Sequence, residues 1–182
     1  MRILTLAGMF ALVLTGSAQS QDKKGTSIEV DGLKSVAPAA WKEEAPANAM
    51  RVYQFKLPKA EGDDADAELV VFYFKAGSGT IEQNLKRQEA KFEGEDGKKP
   101  VIKVEKIKVG TNEATYQDIT GTFLSKFPPF DPNAKITKKA NYRQLYVIFD
   151  GKNGQYYFTI MGPTKTIDKH KADFETFLKK FE

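Results

Sequence analysis

The sequence predicts a single α+β domain with a mainly antiparallel β-sheet flanked by helices. Three observations favour this fold class. Most of the chain consists of short runs of β-branched and aromatic residues bounded by Gly, Pro and Asp. Two stretches change to a helical period, and several connections between strands are short and rich in turn residues, as in hairpins. The length of 182 residues suits one ordinary domain.

The N-terminal segment is predicted to be a signal peptide that lies outside this domain. Arg2 precedes a short apolar stretch, which small residues follow. The stretch is shorter than the roughly 20 apolar residues that a transmembrane helix needs, and the small residues are typical of a cleavage site. We therefore predict a signal peptide over residues 1–20, cleaved after Ala18 or Ser20, and a single secreted domain over residues 21–182.

The composition excludes several classes of site. The chain has no Cys and one His, so a Cys/His zinc site, an iron–sulfur cluster and a cysteine nucleophile are ruled out. A secreted chain without disulfides fits the bacterial periplasm or exterior. Basic residues outnumber acidic ones by 28 to 24, but nearly all are Lys, whereas phosphate and base recognition favours Arg. We therefore expect no nucleic-acid binding, and we predict no cofactor and no metal.

Strands are predicted where apolar residues alternate with polar ones or form short apolar runs. They are Thr26–Val30, Arg51–Leu57, Ala67–Phe74, Val101–Val109, Glu113–Leu124, Tyr142–Phe149 and Gln155–Met161. The run over residues 67–74 is apolar on both faces, which predicts a central strand with an element packed on each side. A bulge near Glu105 would restore the alternation of its strand. The last four strands are expected to form two hairpins.

The first predicted helix lies between residues 79 and 94. Thr80 and Gln83 have the spacing of a capping box. Ile81, Leu85 and Phe92 share one helical stripe, so we expect a helix with one narrow buried face.

A second helix is predicted over residues 166–181, after a Gly-Pro pair that ends the last strand. Thr164 or Thr166 is expected to cap its N-terminus. His170, the only imidazole in the chain, lies in this helix between two lysines. Because those neighbours would repel a cation, we expect His170 to be structural or exposed.

The order of these elements resembles that of the PsbP-like α/β/α sandwich over roughly residues 25–182. The supporting residues are Pro38 and Trp41 near the start, the aromatic run 154–158, and a C-terminal helix that closes in Phe-Leu-Lys-Lys-Phe. Residues 55–58, 61–63, 67–74 and 161–166 are also similar to a group of secreted bacterial proteins without an assigned function. The resemblance implies the fold and export. It also implies a binding or assembly module, as PsbP-like domains typically are, and it implies no catalytic residue.

The longest predicted connection, over residues 125–140, carries the candidate binding site. It contains two Phe residues among three Pro residues. These aromatic side chains either cover one end of the sandwich or form a stiff contact surface for a protein, a peptide or a small apolar ligand. The residues assigned to this surface are Phe127, Pro129, Phe130 and Asp131 in the loop, with Tyr142, Arg143 and Trp41 at its margin.

Three other functions stay open from the sequence. A small secreted hydrolase would need carboxylates such as Asp131 or Asp118 in a cleft, with a strongly raised pKa. Lysine side chains could bind an anionic membrane or polymer. A calcium site without the EF-hand pattern could form from a cluster of acidic residues, namely Asp63, Asp64, Asp66 and Glu68.

Overall fold

The computed structural model describes residues 24–75, 78–94, 97–128, 131 and 133–182. The predicted signal peptide lies outside the described residues, and so do Pro129 and Phe130 of the predicted contact loop.

The described residues form ten strands and two helices in the order that follows. They are β1 (Ser27–Val30), β2 (Leu33–Val36), β3 (Lys42–Glu44), β4 (Arg51–Leu57), β5 (Ala67–Phe74), α1 (Ile81–Glu89), β6 (Phe92–Glu93), β7 (Val101–Val109), β8 (Asn112–Lys126), β9 (Ile136–Gly151), β10 (Gly154–Pro163) and α2 (Thr164–Lys179).

The main sheet has eight strands, and every neighbouring pair is antiparallel. Its order is β3-β4-β5-β10-β9-β8-β6, and β7 pairs with β8 beside β6. The short hairpin of β1 and β2 forms a separate two-stranded sheet. This architecture confirms the predicted α+β class, with β5 and β10 at the centre of the sheet.

One face of the main sheet carries most of the hydrophobic core. Helix α2 and the β1–β2 hairpin cover this face, where Leu145 and Phe158 from the sheet pack in one cluster with Phe174 and Phe177 from α2. All four side chains are almost completely buried. Each such burial contributes about 1.5–3 kcal/mol, so this face accounts for most of the hydrophobic stabilisation.

The opposite face is covered only in part. Ile81 and Leu85 of α1 pack on a small cluster formed by Tyr146, Ile148 and Tyr157. The predicted capping box that starts this helix is confirmed. However, α1 has only nine residues, so it ends sooner than the helical stripe in the sequence suggested and leaves part of the sheet uncovered.

The predicted loop over residues 125–140 is shorter in the structure. Strands β8 and β9 stay paired as far as Lys126 and Ile136, so the connection spans residues 127–135. Lys138 and its neighbours are exposed, and a strand segment without a buried face lacks the alternation by which strands are recognised in a sequence.

The predicted bulge near Glu105 is wrong. Strand β7 pairs with β8 in an unbroken register, and its apolar residues Val101 and Val104 are exposed, because an edge strand need not alternate. The register shifts instead within β8, between Gly121 and Phe123. A Cβ atom on Gly121 would come within 2.4 Å of the Glu93 carbonyl oxygen, so glycine lets β6 approach here.

The N-terminus of α2 is capped from another part of the chain. The Asp63 carboxylate accepts hydrogen bonds from the Thr166 backbone N–H (2.8 Å) and from the Thr166 hydroxyl (2.6 Å). No side chain of the helix caps it, and the Thr164 hydroxyl donates to the Asn141 carbonyl instead. The prediction that Thr164 or Thr166 caps this helix is therefore wrong, because a distant carboxylate takes that place.

Candidate functional site

A cleft of about 720 Å³ lies on the sparsely covered face of the sheet, beside α1. Two rows of cross-strand neighbours contribute to its floor. The first row is Glu68, Met161 and Gln144, and the second is Val70, Thr159 and Tyr146. Its volume is in the range of small-molecule sites, which run from about 300 to 1,000 Å³.

The walls come from α1 and from the far end of the β8–β9 pair. Asn84, Arg87 and Gln88 line the cleft on the helix side, and Lys126 and Ile136 line it where the two strands end. The predicted contact loop therefore begins at the rim of the cleft.

Aromatic rings make much of the cleft apolar. Phe72 and Phe74 stack with ring centres 6.5 Å apart, and Phe74 meets Tyr157 edge to face at 5.6 Å. Tyr157 in turn stacks on Tyr146 at 5.9 Å. Burial raises the pKa of Tyr146, so its hydroxyl remains protonated at neutral pH and acts as a neutral polar group.

Amides below the rim hold α1 to the sheet. Gln144 of β9 donates to Gln88 of α1 at 3.2 Å, and both side chains are buried. Asn84 is also buried and lies within hydrogen-bond distance of the Tyr157 hydroxyl. The Ser78 hydroxyl donates a hydrogen bond to the same Tyr157 hydroxyl at 2.8 Å. These bonds fix the position of the helix wall relative to the floor.

Arg51 lies at the β4 end of the cleft, and its charge is balanced there. One terminal guanidinium nitrogen donates to Gln54 at 2.9 Å and to the Glu68 carboxylate at 3.1 Å. The guanidinium carbon lies 5.7 Å from the centre of the Phe72 ring. Among the described residues, the buried Nε–H group of Arg51 has no hydrogen-bond partner.

Arg87 and Lys91 add two further cations to the helix side. Arg87 donates to Asn84 (2.9 Å) and to the Ser78 carbonyl (3.4 Å), and Lys91 donates to Gln88 at 2.7 Å. Among the residues that the structure describes, neither cation has a carboxylate partner. Much of the Lys91 side chain is exposed, but desolvation of its ammonium group, together with the nearby Arg87, lowers its pKa.

The predicted contact loop forms the tip of the β8–β9 hairpin. Phe127 is 82% exposed, which is the highest exposure among the large apolar side chains of the described residues. Asp131 is also exposed, and its carboxylate accepts a hydrogen bond from the Asn133 N–H at 2.8 Å. Of the predicted loop residues, Phe127 and Asp131 can thus be placed at this tip.

Tyr142 lies on the cleft side of the sheet. Its ring stacks on Phe123, a residue that lines the cleft, with a centroid distance of 6.0 Å. The Lys139 ammonium group lies 5.4 Å from the centre of the Tyr142 ring. Tyr142, which was predicted at the margin of the contact surface, is therefore half-buried and lies next to the cleft.

Trp41 and Arg143 lie on the opposite side, towards α2. Trp41 is only 4% exposed, and its indole N–H donates to Nδ1 of His170 at 3.2 Å. Arg143 donates to Asp118 at 2.8 Å through Nε and also pairs with Asp168 of α2. Of the predicted contact residues that the structure describes, Trp41 and Arg143 therefore lie on the other side of the sheet from Tyr142.

The His170 ring is hydrogen-bonded both to Trp41 and to the backbone at Pro58, just after β4. Since Trp41 donates to Nδ1, the hydrogen-bond network assigns the ring proton to Nε2, which donates to the Pro58 carbonyl at 2.9 Å. With both nitrogens bonded and the side chain buried, His170 has a structural place in the core.

Two of the other open functions can be compared with the geometry. Burial raises the pKa of Asp118, but hydrogen bonds from Arg143 and Lys171 outweigh it and lower the pKa below its ordinary value. This shift is opposite to the one that the hydrolase hypothesis requires. In the acidic turn, Asp63 caps α2 and Asp66 accepts from the Lys59 N–H at 2.8 Å. No metal-binding group of three or more acidic or His side chains occurs in the described part of the chain.

Comparisons with known proteins concern the fold. No protein-family model matches the sequence, and no curated protein matches it significantly. Among solved structures, the chain is similar to cyanobacterial PsbP from Synechocystis sp. PCC 6803, with 10% identity and a TM-score of 0.49 over 93% of this chain and 98% of that chain.

Two further structures are similar at the same level. LpqN of Mycobacterium tuberculosis, involved in cell envelope biogenesis, has 10% identity and a TM-score of 0.46 over 87% of this chain and 84% of that chain. A protein of unknown function from Pseudomonas aeruginosa has 15% identity and a TM-score of 0.42 over 86% of this chain and 94% of that chain. We transfer no function from these likenesses.

Sequence reasoning missed the cleft. Its walls and floor combine α1 with β4, β5, β8, β9 and β10, and no local pattern reveals that combination. One signal was readable, because Arg87 and Lys91 are four residues apart in the helix predicted over residues 79–94, a spacing that sets like charges side by side on a helix, although α1 ends at Glu89 and Lys91 follows it. Such a pair is unfavourable unless another contact compensates for it.

Proposed function

We propose that this chain is an exported, non-enzymatic binding module that contacts a partner protein through the tip of the β8–β9 hairpin. The observation that carries this proposal is Phe127, a large apolar side chain that is 82% exposed on a proline-rich turn. Aromatic side chains supply large contact areas. A stiff turn loses little conformational entropy on binding.

The proposed contact surface contains Phe127, Pro129, Phe130 and Asp131, with Tyr142 at its base. Tyr142 supports it because its ring lies beside Phe123, close to where β8 ends. Arg143 and Trp41 are left out, since both already have partners on the α2 side of the sheet.

Export is the second part of the proposal. It depends on the charge and apolar pattern of residues 1–20. Within the described residues, neither helix is long and apolar enough to cross a membrane.

The contact can be tested by photocrosslinking in living cells. A photoreactive phenylalanine at position 127 should form a discrete crosslinked product, and Phe130→Ala in the same chain should reduce its yield by more than about tenfold if Phe130 contributes as an interface anchor. The matched control is the same photoreactive residue at Val101, which is 74% exposed on the β7 edge. The products would be identified by mass spectrometry of the periplasmic fraction.

Three results would count against the tip as the contact surface. They are an absence of product from position 127, the same products from position 101, and a yield that Phe130→Ala leaves unchanged.

A further inference from the structure

The cleft beside α1 combines apolar side chains over part of its floor with two cations that have no carboxylate partner among the described residues. Phe72, Phe74 and Met161 supply apolar surface on the sheet side. Such a floor can hold an alkyl chain, because each buried methylene group contributes about 0.8 kcal/mol.

The ion pairs among the described residues show which end of the cleft carries cations without a carboxylate partner. At the β4 end, Glu68 balances Arg51. At the α1 end, the partners of Arg87 and Lys91 among the described residues are all neutral oxygens. Each cation favours an anion placed near it, and an anion would offset the repulsion that Arg87 exerts on Lys91. An anionic group is therefore expected at the α1 end of the cleft.

We propose that this cleft binds a fatty acid, with its alkyl chain on the apolar floor and its carboxylate held by Arg87 and Lys91. The guanidinium fork matches the two oxygens of a carboxylate, and the neighbouring ammonium adds a second charged donor. A second copy of this chain fits less well, because the protein has a formal charge of +4.

This inference goes beyond the proposed function, because it assigns a ligand to the cleft, whereas the proposed function concerns the adjoining hairpin tip, whose Phe127 is not among the described residues that line the cleft. The two proposals also fail separately. Fatty-acid binding is measured on the purified chain without a partner protein, and Phe127→Ala should leave it unchanged, whereas the crosslinking experiment requires no lipid.

The test is a calorimetric titration of the purified chain with dodecanoate below its micelle concentration. Dodecanoate should bind saturably, with one molecule per chain, and at least about tenfold more tightly than dodecyltrimethylammonium, which is about 1.4 kcal/mol. Dodecyl phosphate separates a carboxylate site from a phosphate site. If the phosphate bound more than about tenfold tighter than dodecanoate, the assignment to a fatty acid would be overturned.

Variants locate the head group and the chain. The double variant Arg87→Gln/Lys91→Gln should weaken dodecanoate binding by about tenfold or more. Lys86→Gln is the matched control, since Lys86 lies on the same helix but pairs with Glu82 at 2.8 Å, and it should change the affinity by less than about twofold. Thr159→Phe should fill the floor and abolish binding of every probe.

Circular dichroism and thermal unfolding would establish that each variant folds. If Thr159→Phe failed to fold, the double variant would still decide the matter, because both side chains are largely exposed. The proposal is overturned if dodecanoate does not bind, if the cationic probe binds equally well, or if the double variant and Lys86→Gln have the same effect.

Discussion

Asp118 illustrates how one residue type can suggest opposite roles. In the sequence it is an acidic residue in a strand, and a hydrolase would use such a group if its pKa were raised. In the structure its two oxygens accept hydrogen bonds from Arg143 on the neighbouring strand and from Lys171 on α2. Both partners come from other elements, so strand periodicity in the sequence could not show that this carboxylate is held as an anion.

This network predicts a pH-dependent contribution to stability. The folded pKa of Asp118 lies below its ordinary value of 3.8, so its stabilising effect is fully present above that pH and is lost as the pH falls through the folded pKa. Asp118→Asn should lower the free energy of unfolding by about 2–4 kcal/mol at pH 7. In urea unfolding experiments, the difference from the wild type should shrink below pH 3.8.

The matched control is Asp168→Asn, because Asp168 pairs with the same Arg143 but its side chain is about half exposed. Its effect at pH 7 should be below about 1 kcal/mol. A constant difference between Asp118→Asn and the wild type at all pH values would contradict the proposed ion-pair contribution.

Helix α2 depends on a residue more than a hundred positions before it. Its first turn contains no acidic side chain, although an anion there would interact favourably with the helix dipole. Asp63 supplies that charge and accepts two hydrogen bonds from Thr166. The Thr166 hydroxyl in turn accepts from the Ala60 N–H at 2.9 Å, so the cap also fixes the acidic turn to the helix.

Removal of this cap should therefore destabilise the whole domain. Asp63→Ala is expected to lower the free energy of unfolding by about 1–2 kcal/mol, as measured by thermal or urea unfolding followed by circular dichroism. The neighbouring Asp64 is exposed, and Asp64→Ala should change stability by less than about 0.5 kcal/mol. Equal effects of the two substitutions would contradict the capping role of Asp63.

Local patterns predicted many of the elements. The bounds of β4, β5 and β7 agree with the expected strands, and the capping box of α1 is present. Period and turn chemistry are local properties, so the sequence carries them directly. The extension of β8 and β9 towards the tip could not be predicted, because exposed residues such as Lys138 pair through the backbone and leave no pattern of burial.

The two faces of the sheet differ in how much apolar surface they bury. The α2 side contains nearly all of the buried apolar cluster, whereas the α1 side contains three buried cluster residues and the cleft. The contact loop could be proposed from the sequence because its Phe and Pro residues are contiguous. The cleft was not, because it requires the strand order and the early end of α1 at Glu89.

The proposed export leads to a further prediction. When the full chain is produced in a bacterium, mass spectrometry of the periplasmic protein should find an N-terminus at Gln19 or Gln21, since cleavage follows small residues. Leu12→Arg should block processing, because a charge interrupts the apolar stretch, whereas Asp22→Asn should not. A periplasmic chain that still begins at Met1 would contradict the predicted cleavage.

The burial of Trp41 has a practical consequence for spectroscopy. It is the only tryptophan in the sequence and is packed against Phe55 and Phe177, with its indole N–H bonded to His170. Its emission therefore reports on the packed side of the sheet alone. A ligand that binds on the other side of the sheet should leave the Trp41 emission unchanged. Fluorescence can therefore report global unfolding in the same sample in which calorimetry measures ligand binding.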